Sequence, residues 1–125
     1  MAEFDLTYYS GTDEYSDGDE SENYLLAMNK AGKTLDDIPT KECTWPVFYH
    51  MSPMRENICN WYPFRKDATV LEIGAGCGAI TGILCQKAAH VTSIELSHRR
   101  AMINYERNKK YSNFCLLYTS PSPRD

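Results

Sequence analysis

The sequence predicts an α/β fold built on a parallel sheet, in which a helical segment precedes a first β-α-β-α unit. Two short apolar runs, at residues 69–73 and 90–95, are typical of buried strands. Each run is followed by a segment whose apolar residues recur at helical spacing, and a glycine-rich turn joins the first run to its helix. Parallel strands need crossover connections of this kind, and the crossover is nearly always right-handed.

Length and charge divide the chain into unequal parts. Its 125 residues are few for a doubly wound enzyme, and its formal net charge of -4 does not indicate a nucleic-acid binder. Residues 1–22 hold eight of the 17 acidic residues and no Lys or Arg. The remaining nine acidic residues stand against 13 Lys and Arg, so residues 23–125 carry a charge of +4. We interpret residues 1–22 as an acidic disordered tail, because so polar a segment buries too little apolar surface to offset its ordering entropy.

Composition excludes several other classes. The sequence contains no run of 18 apolar residues and no basic-then-apolar secretory signal, so no membrane segment and no export are expected. Its five cysteines form no CxxC pair, and its three histidines do not fall at ligand spacings, so no metal site is predicted. Reduced thiols and the missing signal favour a cytoplasmic location.

Residues 23–45 are predicted to form a lead-in of one helix and a loop. The helix runs over residues 22–30, and Gly32 stands just past its end. A second helical segment lies within residues 46–64, where Ser52 is a good N-cap and Pro53 suits the first helical position. Arg55 and Asn57 are the polar residues of this segment that could reach a nearby ligand.

The first strand, Thr69–Ile73, leads directly into a turn with glycine at positions 74, 76 and 78. Glycine tolerates positive φ and has no side chain to keep a ligand away from the backbone. A helix follows over residues 79–88, and the free N–H groups at its start favour an anionic group. In open α/β sheets, ligands bind outside the carboxyl ends of the strands, which is where this turn is expected to lie.

The second strand ends in Glu95, and Ser97 is predicted to cap the next helix. A carboxylate at this strand end can accept hydrogen bonds from two ribose hydroxyls, so the constellation suggests an adenosine-type cofactor. His98, Arg99 and Arg100 are interpreted as a solvated helix start. Cys77 is interpreted as a small filler residue rather than a reactive thiol.

Two cofactor classes fit this pattern. Gly74, Gly76 and Ala79 satisfy the relaxed dinucleotide fingerprint GxGxx(G/A), with Glu95 at the spacing of the ribose-binding acid. Glu72, however, stands two residues before the first glycine, and its carboxylate would repel a pyrophosphate. The same carboxylate suits a ligand with an ammonium group, such as S-adenosylmethionine (SAM).

Residues 70–81 (VLEIGAGCGAIT) resemble motif I of class I SAM-dependent methyltransferases, and residues 91–95 (VTSIE) resemble the acidic strand of their second motif. The combination is similar to the ribosomal RNA adenine N6-dimethyltransferase family. The segment from Ser52 to Phe64 looks more like methyltransferase domains found with bacterial glycosyltransferases. The resemblance covers residues 46–113 and implies a partial Rossmann-like sheet.

The resemblance also implies roles for particular residues. The cofactor would be SAM, with its methionine part along the glycine turn, its ribose on Glu95 and its adenine near Leu96. The residues that would contact SAM are Glu72, Gly74, Ala75, Gly76, Gly78, Glu95 and Leu96. No catalytic residue is identified, and the methyl acceptor is left open between RNA adenine and a small molecule or glycan precursor.

The end of the sequence departs from the family pattern. The family has a third strand ending in an acid after Phe114, but residues 115–125 (CLLYTSPSPRD) resemble the translation of a sequencing-library adapter. We therefore expect residues 46–114 to be the N-terminal part of a SAM-binding domain and the chain to be a truncated fragment without turnover of its own. The alternatives are an NAD(P)-binding oxidoreductase fragment and a non-catalytic interaction module.

Overall fold

The computed structural model of the chain describes residues 2–8 and 17–119. Four parallel strands form one sheet in the order β1-β4-β3-β2: β1 is Glu3–Tyr8, β2 is Thr69–Ile73, β3 is His90–Glu95 and β4 is Phe114–Thr119. The helices of the described residues are α1 (Asp19–Lys30), α2 (Trp45–Met51), α3 (Asn57–Asn60), α4 (Thr81–Lys87) and α5 (His98–Asn108), with short 3-10 helices at Leu35–Asp37, Thr40–Glu42 and Pro53–Glu56.

The predicted β-α-β-α unit is confirmed as the centre of the fold. β2 pairs with β3 in parallel register from Thr69 opposite His90 to Ile73 opposite Ile94, and α4 crosses between the two strands. The side chain of Ser97 caps α5 as predicted, accepting a hydrogen bond from the backbone N–H of Arg100 at 3.3 Å.

The helical lead-in is confirmed with different boundaries. α1 begins at Asp19, three residues before the predicted start, and Ser52 caps the 3-10 helix that leads into α3. α2 was not predicted, because residues up to 45 were interpreted as loop and the helix was expected after Ser52. Val47 and Met51, one helical turn apart, are both buried against Leu25 of α1, so packing stabilises this short helix.

The N-terminal segment is not a disordered tail where the structure describes it, and that prediction is wrong for residues 3–8 and 17–22. β1 pairs with β4, placing Phe4 opposite Leu116, and the Phe4 ring stacks on Tyr105 with centroids 5.5 Å apart. Ala2 is buried as well. The apolar side chains of this acidic segment pack against residues more than 100 positions away in sequence. The composition of the segment alone does not reveal such contacts. Residues 9–16 of the predicted tail lie outside the described residues.

The prediction that no strand follows Phe114 is also wrong. β4 occupies the position of the third strand, between β3 and β1, and its Leu116 and Tyr118 side chains are buried. It contains no Asp or Glu, so it lacks the acidic strand end of the family pattern. The adapter origin of residues 115–125 stays a prediction.

β2 is one of the two edge strands of the described sheet, and β1 is the other. In the described residues β2 has a strand neighbour on one side only. Leu71 and Ile73 are 58% and 78% exposed.

Buried polar contacts attach α1 to α5. The guanidinium of Arg100 donates to Glu22 at 3.1 Å and to Asp17 at 2.6 Å, and Asp17 also pairs with the ring of His50. The interpretation of Arg100 as part of a solvated helix start is wrong, because this side chain is buried between the two helices. His98 and Arg99 are half-buried, and Arg99 pairs with the exposed Asp19.

Candidate functional site

The glycine turn lies at the carboxyl ends of β2 and β3. Gly74, Gly76 and Gly78 have φ values of 74°, 59° and 82°, a region that residues with a Cβ rarely adopt. The backbone N–H groups of Gly74 and Ala75 donate to the carbonyl of Ile94 at 2.9 and 3.1 Å. The turn is therefore attached to the end of the neighbouring strand.

The three glycines have different surroundings. A Cβ built on Gly74 or Gly76 meets no atom within 4 Å, so the space over these residues is open to a ligand. A Cβ on Gly78 would lie 2.3 Å from Oδ1 of Asn104. A side chain at position 78 would therefore clash with α5, so this position requires glycine for packing. The sequence motif alone did not indicate that requirement.

The carboxylate of Glu72 begins a buried polar network. Its Oε2 accepts hydrogen bonds from the hydroxyls of Thr81, at 2.7 Å, and Ser93, at 2.6 Å. The Thr81 hydroxyl in turn accepts from the side-chain amide of Asn104 at 3.1 Å. Glu72 therefore binds side-chain hydroxyls of α4 and β3 rather than local backbone groups.

Two residues of this network were missed by the sequence analysis. Asn104 and Asn108 stand one turn apart on α5, are almost completely buried, and are joined by a hydrogen bond of 2.8 Å. Asn108 also donates to the carbonyl of Gly78 at 3.3 Å. The sequence signal for these residues was a pair of asparagines at i and i+4 of a predicted helix, which places both amides on one helix face. That spacing does not distinguish a buried pair of amides from a solvated pair.

Burial raises the pKa of Glu72 above its ordinary value, and the hydrogen bonds from Ser93 and Thr81 offset part of that effect. Because folding favours the protonated form, the ionised carboxylate reduces stability, and the reduction grows as the pH rises through the raised pKa. Below the pKa of the unfolded chain the group is protonated in both states and has no such effect.

We expect Glu72→Gln, which keeps both acceptor contacts without the charge, to gain stability relative to the parent chain as the pH rises. The difference in urea midpoint between the two should be largest near pH 8 and vanish near pH 4. A difference independent of pH would show that Glu72 carries no desolvation cost.

Glu95 is placed at the end of β3 as predicted, with its carboxylate turned toward the glycine turn. Oε2 accepts from the Gly76 N–H at 2.5 Å, and Oε1 accepts from the N–H groups of Leu96 and Ser97 at 2.8 and 2.9 Å. Three of the roughly four lone-pair positions of the carboxylate are therefore used. One position is left for a ligand, and a second becomes available when the Gly76 contact is released.

A cavity of about 380 Å³ lies next to the turn. It is lined by Arg55, Cys59, Phe64, Val70, Leu71, Glu72, Ile73, Gly74, Ala75, Ile80 and Leu84. The structure thus brings Glu72, Gly74 and Ala75 together with Arg55, whereas Asn57 does not line the cavity. Leu96 is half-buried directly after Glu95.

Cys77 is buried inside the turn, and burial raises the pKa of its thiol to about 12. It is therefore a packed side chain rather than a nucleophile, as predicted. Within residues 2–8 and 17–119, no group of three His, Cys, Asp or Glu side chains could hold a metal ion. Across the same residues, the helices lack the combination of length and apolar character that a membrane crossing requires.

Comparison with known proteins identifies relatives over part of the chain. No family profile matches. The chain is 40% identical over 63 residues to a ribosomal RNA small subunit methyltransferase A of Clostridium botulinum, a match that covers 50% of this chain and 23% of that protein. It is 30% identical over 87 residues to an rRNA adenine N-6-methyltransferase of Bacillus licheniformis, covering 70% of this chain and 30% of the relative.

One solved structure has a similar fold. The phosphoethanolamine N-methyltransferase 1 of Haemonchus contortus, solved with phosphoethanolamine and S-adenosylhomocysteine, aligns over 83% of this chain and 21% of its own, with a TM-score of 0.51 and 22% identity. The chain is therefore similar to class I methyltransferases in sequence, over part of its length, and in fold. It has the partial Rossmann-like sheet predicted for this class, and it spans about a quarter of the length of the methyltransferases that it matches.

Proposed function

We propose that the chain binds SAM at the carboxyl ends of β2 and β3 and forms the cofactor-binding part of a SAM-dependent methyltransferase. The observation that carries the proposal is the open backbone at Gly74 and Gly76 with the carboxylates of Glu72 and Glu95 on either side. The identity to two rRNA methyltransferases supports the choice of SAM over a dinucleotide.

Each residue of the proposed site has a physical role. Both hydrogen bonds to Glu72 reach Oε2, which leaves Oε1 as an acceptor for an ammonium group. Gly74, Ala75 and Gly76 provide a surface without bulky side chains, and Glu95 accepts from ribose hydroxyls. Gly78 contributes indirectly, since its contact with α5 positions the turn. Leu96 would pack against the adenine.

Bound SAM would supply a methyl group activated by its sulfonium. The residues of this chain would bind and orient it, because methyl transfer depends largely on aligning the acceptor with the methyl group. The polar network from Asn108 to Glu72 holds the turn in one conformation before the cofactor arrives, which lowers the entropy cost of binding.

We further propose that the acceptor of the whole protein is an adenine in RNA. The support is the name of the Bacillus licheniformis relative, an rRNA adenine N-6-methyltransferase. An Asn/Asp-Pro-Pro-aromatic motif, which would position such an adenine, does not occur in these 125 residues. A cytoplasmic location likewise stays a prediction, consistent with rRNA as substrate.

Titration calorimetry with SAM, S-adenosylhomocysteine and NAD tests the cofactor. We expect heat from the two SAM-type ligands and none from NAD. Tighter binding of NAD would overturn the proposal in favour of the oxidoreductase alternative.

Two substitutions test the site. Glu95→Ala is expected to weaken SAM binding about tenfold or more, the value of a hydrogen bond to a charged group. Gly76→Val should block binding by filling the open space over the turn. Gly32→Val is the matched control, because Gly32 also has positive φ (70°) and no atom within 4 Å of a built Cβ, but lies just after α1 rather than in the glycine turn. Equal losses in Gly76→Val and Gly32→Val would attribute the effect to backbone strain and remove the support for a ligand at the turn.

A further inference from the structure

A second and larger depression, of about 600 Å³, lies where the C-terminal ends of α1 and α5 meet the 3-10 helix at Pro53–Glu56. We call it the basic groove. Its lining includes five cationic residues (Lys30, Lys33, Arg107, Lys109 and Lys110) and three carboxylates (Asp36, Glu56 and Glu106). The groove is therefore cationic by two charges in a chain whose overall charge is -4.

Arg107 is the feature that distinguishes this groove from an ordinary solvated surface. The guanidinium is partly buried and donates to the backbone carbonyl of His50 at 2.5 Å. Among residues 2–8 and 17–119 no carboxylate lies within 4.0 Å of it, although the chain pairs Arg99, Arg100 and Lys109. A partly buried cation without an ion-pair partner is costly, so the site is suited to an anion.

The exposed lysines extend the positive charge away from Arg107. Lys30 ends α1, Lys33 follows it, and Lys110 lies just after α5 with its ammonium 5.3 Å from the ring centroid of Tyr111. Lys109 is already engaged by Glu106 at 2.6 Å. Lys30 and Lys33 precede residue 46, where the resemblance to methyltransferases begins.

We propose that the basic groove binds a phosphate group, with Arg107 as its anchor and Lys33 and Lys110 as its outer contacts. A guanidinium fits phosphate oxygens with two parallel hydrogen bonds, and the lysines act as point charges. The phosphate could come from the backbone of an RNA acceptor or from a small phosphorylated compound. The groove lies beyond Gly78 and Ala79 and does not share Glu72, Gly74 or Ala75 with the cofactor cavity.

The test uses the full chain with a fluorescein-labelled single-stranded RNA of 12 nucleotides, measured by anisotropy at several salt concentrations, and with tripolyphosphate by calorimetry. Arg107→Gln is expected to weaken binding about tenfold, as for the loss of a charged hydrogen bond. The double variant Lys33→Gln, Lys110→Gln should lower the slope of log affinity against log salt by about 1.4, since each phosphate contact on a single strand contributes about 0.7.

The control is the double variant Arg65→Gln, Lys66→Gln, which removes the same charge from exposed residues outside the groove. We expect it to bind like the parent chain. Equal weakening in both double variants, or no binding by the parent chain, would overturn the proposal and leave the lysines as partners of the helix C-terminal dipoles. If Arg107→Gln does not fold, the lysine double variant decides.

The two sources of phosphate give different results. RNA binding much tighter than tripolyphosphate, with the same dependence on Arg107, identifies a nucleic-acid backbone. Comparable affinities identify a small phosphate compound. Because SAM binding is measured separately, a chain that binds phosphate but not SAM would contradict the proposed function and leave this inference standing.

Discussion

Replacing Arg100 by methionine is expected to lower the free energy of unfolding by about 3–5 kcal/mol, the usual cost of removing one partner from a buried ion pair. Glu22 is 1% exposed and would lose the guanidinium that now donates to it. Asp17 would lose the same partner, and α1 would lose its buried polar contact with α5. Urea denaturation followed by tryptophan fluorescence measures the change.

The adjacent pair of Arg99 and Asp19 is the matched control. Its distance is 2.7 Å, similar to that of the Arg100 contacts, but Asp19 is 85% exposed. Asp19→Asn should therefore cost less than about 1 kcal/mol. A double variant with Arg100→Met and Glu22→Leu should recover much of the loss, because no unpaired buried charge remains at Glu22. Similar small losses in Arg100→Met and Asp19→Asn would show that the acidic N-terminal residues do not belong to the folded unit.

Gly78→Ala is expected to destabilise the chain by about 2–5 kcal/mol. Positive φ costs a residue with a Cβ about 1–2 kcal/mol, and overpacking a filled interior adds about 1–3 kcal/mol. The new methyl group would meet the Asn104 side chain at 2.3 Å and that of Asn108 at 2.7 Å. Both amides are held by hydrogen bonds, so moving them breaks the network that reaches Thr81.

Gly76→Ala separates strain from contact. Gly76 has positive φ, as Gly78 does, but a Cβ built on it meets no atom within 4 Å. Only the backbone cost of about 1–2 kcal/mol therefore applies to this variant. Thermal or urea unfolding of the two alanine variants gives the difference directly. Equal losses would mean that Asn104 and Asn108 move aside easily, and the positioning role of Gly78 would be withdrawn.

The elements of the β-α-β-α unit were predictable because their signals are local. Thr69–Ile73 and His90–Glu95 are short apolar runs, the glycines mark a turn with positive φ, and Ser97 is a cap beside the helix that it begins. Each of these depends on residues within a few positions of one another. The placement of Glu72 and Glu95 on either side of the turn follows from parallel pairing alone.

The other features depended on contacts between distant residues. Glu3–Tyr8 and Phe114–Thr119 become strands because each completes hydrogen bonds and apolar packing for the other. Arg100, in a stretch interpreted as solvated, is buried because two carboxylates from the other end of the chain reach it.

By itself, the sequence determined the parallel α/β class, the glycine turn and the two carboxylates that flank it. The tertiary structure decided which glycine faces a ligand and which faces α5. It also decided that the acidic N-terminal residues 3–8 and 17–22 belong to the fold, and that the partly buried Arg107 has no carboxylate partner among the described residues. The physical reason is that motif spacing specifies the local backbone, whereas burial and ion pairing are set by groups that only folding brings together.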